Sequence, residues 1–378
     1  MKFAFFTNII SPHQMPLARE LVNLLGADEY RYVYTERKEK ERTKLGWGNE
    51  GEDWCLQGDE NTAVLSEADV LMSGVRAPHL FEKRAKEGKT TLYCSERWFK
   101  PPIGFLRVFV PSYFKMARRI VKLLNESENF YYLPMGIHAA RDMARLCGLM
   151  NGDWKCLFRA PKVDFERTPG GKVFSEGVRE CVGKMRMWGY FVQSSEFRVG
   201  SLELNHGIHR IHGKKGCGSE GVKVLWVGRL LNWKRVDTII KAVGDCSKSE
   251  KITLDVYGVG PEEAKLKKLA AKYGDVIKFY PPVPINEVRK LMREHDVYVL
   301  SSNGYEGWGA VVSEALEEGM AVIGTYEAGS SATILSESNL FHAGDWRRLK
   351  MLLEGNVEKV GIGSWTAKSA AIALIGEV

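Results

Sequence analysis

The chain lacks any long apolar run. None of its 378 residues belongs to a stretch approaching the ~18 consecutive apolar positions that a membrane-spanning helix needs, which excludes a helical membrane protein. The segment from Met1 to Ile10 is apolar, but it has neither the length nor the small-residue cleavage site of a secretory leader and reads as a first buried strand. Cysteine is sparse: Cys55, Cys94, Cys147, Cys156, Cys181, Cys217 and Cys246 are scattered, with no C-x2-C pair. That sets aside zinc and dithiol chemistry and fits a reducing cytoplasm. Asp-x-Asp is also absent, which argues against a divalent cation held by paired carboxylates, so neither a metal nor another cofactor is expected. What is present is a globular composition, 44% apolar and 27% charged, at a length that suits two domains with separate cores.

The net charge of +7 is concentrated in one place: the window from Arg97 to Asn125 holds seven basic residues and no Asp or Glu. Within it Lys115, Arg118, Arg119 and Lys122 follow one helical face, while Phe114, Ala117, Val121 and Leu124 follow another. Just before, Trp98, Phe99, Phe105 and Phe109 interleave with Arg97, Lys100 and Arg107. The mixture suits anionic lipid headgroups or an anionic lipid-phosphate acceptor. The expectation is therefore a cytoplasmic protein, peripheral on the inner face of the plasma membrane, with no nucleic-acid partner. The competing reading is an ordinary solvated helix whose apolar face packs on a sheet.

In the second half, short β-branched runs alternate with helical patterns. Val222 to Val227, Ile252 to Tyr257, Val276 to Phe279, Val297 to Leu300 and Ala321 to Gly324 read as strands. Val236 to Val243, Pro261 to Lys272, Ile285 to Met292 and Ala310 to Glu318 read as helices. Lys2 to Phe6, Tyr30 to Thr35, Val70 to Met72, Thr90 to Tyr93 and Phe130 to Leu133 repeat the theme in the first half. Such alternation predicts α/β domains built on parallel sheets, with ligands at the carboxyl ends of the strands. The Gly-rich stretch 201–221 reads as a linker between domains at 1–200 and 222–362, and 363–378 as a terminal helix packing back on the first domain.

The segment with the most chemistry is Glu306-Gly307-Trp308-Gly309, which follows a strand and opens a helix. Its glycines allow close approach of a ligand, and a helix start favours an anion such as a diphosphate. Glu314 is placed to accept hydrogen bonds from ribose hydroxyls, leaving Glu306 to face a transferred sugar. At the end of the first strand of the same domain, Gly228-Arg229 and then Lys234 bring two cations to the same sheet edge. There they would stabilise the charge that develops on a departing diphosphate. Tyr257-Gly258-Val259-Gly260 lacks a third glycine and reads as a loop over the nucleotide, with Val283 near the base. His206, His209 and His212 are evenly spaced but have no matching acidic or cysteine pattern, and read as linker residues.

The motifs Val227-Gly-Arg-Leu-Leu-Asn-Trp-Lys234, Tyr257-Gly-Val-Gly-Pro261 and Glu306-Gly-Trp-Gly-Ala-Val-Val-Ser-Glu314 resemble, in order and spacing, those of the retaining glycosyltransferases of family 4. The resemblance is strongest from Val222 to Asp345 and implies a GT-B architecture, two Rossmann-like domains facing across a cleft. It also implies a nucleotide-sugar donor held by the second domain, and hexosyl transfer with retention. It assigns Arg229 and Lys234 to the diphosphate, Glu306 to the donor sugar and Glu314 to ribose. The first domain resembles bacterial surface-polysaccharide members more loosely, through Thr7 to Pro16, Ser95 to Lys100 and Trp188 to Phe191. Where that family often has paired glycines this chain carries Ser11-Pro12-His13-Gln14, and where many members have a mid-domain histidine it carries Ser95-Glu96-Arg97. His13 and Glu96 are the candidates for orienting or deprotonating an acceptor hydroxyl, each with a plain alternative as a loop cap or salt-bridge partner. The acceptor is expected to be a glycan or a lipid-linked sugar. A noncatalytic nucleotide-sugar-binding scaffold, an epimerase and a phosphorylase remain as rivals.

Overall fold

The computed structural model describes residues 1–36, 52–175, 178–192, 221–246, 252–355, 357 and 363–376. The expected linker, apart from Gly221, lies outside these residues, as do His206, His209 and His212. Two compact units emerge, one formed by Met1–Gln193 with Ser364–Val378 and the other by Ser194–Gly363.

The first unit contains strands β1 (Phe3–Thr7), β2 (Tyr30–Tyr34), β3 (Cys55–Gln57), β4 (Val70–Ser73), β5 (Thr90–Ser95) and β6 (Phe130–Pro134). They form one sheet in the order β3-β2-β1-β4-β5-β6, parallel throughout. Helices α1 (Met15–Leu25), α2 (Ala63–Glu67), α3 (Pro78–Lys86), α4 (Pro111–Glu126) and α5 (Ile137–Met150) lie between strands or follow them, ahead of the hairpin β7 (Val163–Phe165) and β8 (Val173–Ser175) and the short α6 (Arg179–Gly183). The second unit repeats the pattern with β9 (Val222–Val227), α7 (Val236–Cys246), β10 (Ile252–Tyr257), α8 (Glu263–Ala270), β11 (Ile277–Tyr280), α9 (Ile285–Glu294), β12 (Val297–Leu300), α10 (Val311–Glu317), β13 (Ala321–Thr325), α11 (Gly329–Ile334), β14 (Leu340–Phe341) and α12 (Trp346–Glu354). Its sheet runs β11-β10-β9-β12-β13-β14, again parallel. This is the expected pair of Rossmann-like sheets. The final helix α13 (Ala367–Gly376) belongs to the first unit and packs on α1.

Parallel strands covered on both faces must be apolar on both, and every residue of β1, β4, β12 and β13 is buried. Each fully buried Val, Leu, Ile or Phe contributes ~1.5–3 kcal/mol against leaving it in water. Among the buried polar side chains of the described residues, Arg84 is the largest. Arg84 on α3 has no exposure, and it donates to Thr91 Oγ1 (3.1 Å) and to the carbonyls of Leu65 (2.9 Å), Ala68 (2.8 Å), Asp69 (3.1 Å) and Thr90 (2.7 Å). All five of its N–H donors are satisfied by neutral oxygens at the end of α2 and the starts of β4 and β5. Burial pulls its guanidinium down to about 10.

The basic window differs from its reading in sequence. Trp98 and Phe99 are core residues rather than lipid-facing ones: the Trp98 indole donates to the Tyr132 hydroxyl (3.1 Å), and Arg76 lies over its ring at 4.6 Å. Phe114, expected on the packed face of α4, is exposed, and Ile120 and Leu123 are buried with Ala117, Val121 and Leu124. Acids from outside the window neutralise part of its charge. Arg119 makes two bonds of 2.6 Å to Glu82, Arg97 lies 3.6 Å from the buried Asp142, and Lys100 pairs with Glu96. The sequence also gave no sign of the disulfide joining Cys147 on α5 to Cys181 on α6.

The loops after β9 and β10 approach each other more closely than side chains allow. A Cβ at Gly258, whose φ is +152°, would lie 1.8 Å from the Gly228 carbonyl oxygen, and one at Gly260 would lie 2.4 Å from the Leu230 oxygen. Backbone bonds from Gly228 N–H to Tyr257 O (3.0 Å) and from Leu230 N–H to Val259 O (2.9 Å) close the contact. Gly258→Ala is therefore expected to cost on the order of 3 kcal/mol in urea unfolding. Gly26→Ala, at φ +91° with nothing within 4 Å of the added methyl, is expected to cost about 1 kcal/mol. Equal losses at the two sites would contradict the close-approach explanation.

Candidate functional site

In the second sheet the strand order reverses direction between β9 and β12, the place where open α/β sheets bind ligands beyond their carboxyl ends. The loop after β9 carries Gly228 and Arg229 and closes with a single turn over Asn232–Lys234. The loop after β12 runs from Ser301 to Ala310 and carries Glu306. Asn303 N–H donates to the Trp233 carbonyl (2.9 Å) and Ser301 Oγ to the Lys234 carbonyl (2.6 Å), so the two loops are sewn together before any ligand is considered.

Across that seam the Lys234 ammonium pairs directly with Oε2 of Glu306, and the same oxygen accepts from Ser302 Oγ at 2.8 Å. Lys234 also stands over the Trp233 ring, 4.5 Å from its centre, where the π face favours a cation. Both side chains are largely shielded, with Lys234 19% and Glu306 13% exposed, so the attraction is stronger than that of a surface pair. Beneath them Tyr298 of β12 is fully buried. Burial, then the nearby carboxylates of Glu306 and Glu314, push its hydroxyl far above the usual phenol range, and it stays a neutral donor to the Val227 carbonyl (3.4 Å). Glu314 is half-buried on α10, which is only seven residues long. Arg229 is exposed and forms no ion pair among the described residues.

The glycines shape this edge more than they donate to it. The N–H groups of Gly228 and Gly258 are spent on Tyr257 and Tyr280 carbonyls. The Gly307 and Trp308 carbonyls accept from the Gly329 and Ser330 N–H groups (3.2 and 2.8 Å), and Ser330 Oγ donates to the Gly309 carbonyl (2.9 Å). Gly309 itself sits at φ +87°. Trp308, expected to bind the donor, is only 1% exposed as a whole residue and belongs to the core. Val283, half-buried after β11, lies at the same sheet edge but two strands from β9, roughly 10 Å away at ordinary strand spacing.

The two acceptor-side candidates belong to the first unit. His13 packs its ring against Tyr190, 5.7 Å between centres, and its backbone N–H donates to Ser11 Oγ (3.3 Å). Glu96 pairs with Lys100. Burial, with the charge of Glu96 next, raises the Tyr190 hydroxyl, so Tyr190 borders both candidates. Three contributors were not read from the sequence: Ser302, Trp233 and Tyr298. Trp233 stands inside the quoted Asn-Trp-Lys motif and Ser302 two positions after a strand, which are usable signals; Tyr298 is one apolar-strand residue among others and gives none.

Comparison with known proteins bears on the same half of the chain. Residues 208–354 match the family described as glycosyl transferases group 1. An uncharacterised glycosyltransferase of Methanocaldococcus jannaschii is 33% identical over 121 residues, and the chain spans about a third of that relative's length, 31%. Among solved structures, the apo lipopolysaccharide outer core galactosyltransferase WaaB superposes over 100% of both chains with a TM-score of 0.59 at 13% identity. Anabaena HepE in complex with UDP superposes over 99% of this chain and 94% of its own, with a TM-score of 0.57 at 14% identity. Likeness at such low identity speaks for the fold alone. The chain is thus a GT-B-fold protein whose second unit carries the sequence pattern of the glycosyl transferases group 1 family.

Proposed function

We propose that this protein is a retaining glycosyltransferase. It would move a hexosyl group from a nucleoside-diphosphate sugar to a hydroxyl of a glycan or lipid-linked acceptor, in the synthesis of a cell-surface polysaccharide. The observation that carries the reading is the Lys234–Glu306 pair at the strand-order reversal, inside the segment that matches the group 1 family.

In this reading Arg229 and Lys234 take the diphosphate. As the bond from the anomeric carbon to the diphosphate oxygen breaks, negative charge grows on the leaving group, and the shielded, held Lys234 and the exposed Arg229 stabilise it without a metal. Glu306 holds Lys234 in place before the donor arrives and afterwards accepts hydrogen bonds from the sugar hydroxyls, while Glu314 accepts from the ribose. The acceptor oxygen bonds to the anomeric carbon on the face the diphosphate leaves, and its proton passes to the departing phosphate oxygen. His13 and Glu96 are the proposed acceptor-side groups. The name of the WaaB neighbour supports a surface-glycan acceptor, and the UDP complex of HepE makes a uridine diphosphate sugar the first donor to try.

The decisive measurement is the anomeric configuration of the product by proton NMR, which is expected to match the donor; inversion would sink the mechanism. Lys234→Ala is expected to lower kcat/KM by about 10²–10³, the usual loss of one transition-state charge partner. EDTA dialysis is expected to leave the rate unchanged. In a thermal-shift panel of nucleoside diphosphates, one base at ~100 times its Kd is expected to stabilise the protein by ~2.7 kcal/mol. Glu314→Ala should weaken that shift, while Glu306→Gln should leave it largely in place and abolish transfer. Binding without transfer or donor hydrolysis in the unmutated chain would instead indicate a scaffold.

A further inference from the structure

Exposed large apolar side chains on the first unit are not evenly spread. Ile103, Leu106, Phe109, Val110 and Phe114 are exposed along the turn Gly104–Phe109, its flanks and the start of α4, with Leu106 63% and Phe109 67% exposed. A second group, Trp154, Phe158 and Phe174, lies on the turn after α5 and on β8, with Phe158 89% exposed. Arg145 joins the segments: its guanidinium stacks over Phe105 at 3.3 Å and donates to the carbonyls of Cys156 (2.7 Å) and Leu157 (2.8 Å). Arg145 thereby ties the turn that carries the first group to the segment that carries the second.

Cations outnumber acids on these segments, where Asp153 and Asp164 are exposed as well. Lys115 and Arg118 beside the first group, and Lys155, Arg159 and Lys162 beside the second, form no ion pair among the described residues. Arg141, Arg159, Lys162 and Lys172, with Asp164 as the one acid among the described residues, line an open cleft of about 1010 Å³ whose wall includes Phe174. A surface that interleaves unpaired cations with protruding aromatic and aliphatic side chains matches the interfacial region of an anionic bilayer. There apolar tips enter the acyl boundary and cations meet phosphate. A protein partner would need complementary acids and shaped pockets; a lipid surface needs only this combination.

We propose that this face, centred on Leu106, Phe109 and Phe158 and rimmed by Lys115, Arg118 and Arg159, docks the protein on an anionic phospholipid membrane. It replaces Trp98 and Phe99, which are buried, with side chains that can reach lipid, and adds the segment 154–174. The proposal does not depend on the transfer chemistry.

The test is flotation of the full chain with vesicles of phosphatidylcholine alone or with roughly 30% phosphatidylglycerol, whose headgroup is anionic. Binding is expected to the anionic vesicles, at least about tenfold tighter than to neutral ones, and to weaken as salt rises. The pair Leu106→Ser with Phe109→Ser, and separately Lys115→Glu with Arg118→Glu, should each reduce it at least about tenfold. Met351→Ser, at an exposed apolar site of the second unit, should not. No binding by the unmutated chain, or unchanged binding by both paired variants, overturns the proposal. So does a dimer in solution that the Leu106/Phe109 pair dissolves, since a second copy would then cover the face. No sugar donor is present, so this result and that of the transfer assay stand or fall separately.

Discussion

The site rests on one ion pair that spans two loops. Lys234 and Glu306 are 72 positions apart in the chain, yet their charges meet because β9 and β12 are neighbours in the sheet and their loops share backbone hydrogen bonds. At an effective dielectric of ~20 a contact pair gains ~4 kcal/mol of Coulomb attraction, most of it offset by desolvation. The pair's value is positional. Each side chain gives the other a partner of opposite charge, and the Trp233 ring and Ser302 hydroxyl fix which way each points. The neutral phenol of Tyr298 fills the floor without adding charge.

Much of the frame was legible because its physics is local. Parallel strands covered on both faces must be continuous apolar runs, and those from Phe3, Tyr30, Val70, Thr90 and Phe130, with five more in the second unit, stand out for that reason. Strands β3, β7 and β8 do not: at three residues each they have no period to detect. Arg229, Lys234, Glu306 and Glu314 were legible through the spacing of a motif, but the direct bond between the middle two was not, since it depends on how loops far apart in the chain cross.

The misplacement of the aromatic residues in the basic window has the same origin. Alternating charge and aromatic residues mark an interface only if the rings face outward, and Trp98 turns inward to a hydroxyl on Tyr132, 34 positions away. Phe105 is partly covered by Arg145 from another helix, whereas Leu106 and Phe109 find no such cover. The disulfide follows the same rule: Cys147 and Cys181 are ordinary cysteines until two helices bring them together.

The helix α13 carries a consequence for how the protein is made. It packs on α1, and just before it Trp365 stacks on Phe191 and Ala367 N–H donates to the Val192 carbonyl (3.3 Å), so the first unit is completed by residues that follow the whole of the second. On the ribosome, α1 emerges early with an apolar face bared and waits through the synthesis of an entire second sheet before its cover arrives. The unit begun first is the one finished last, and its exposed face through that interval is where a chaperone would have reason to bind.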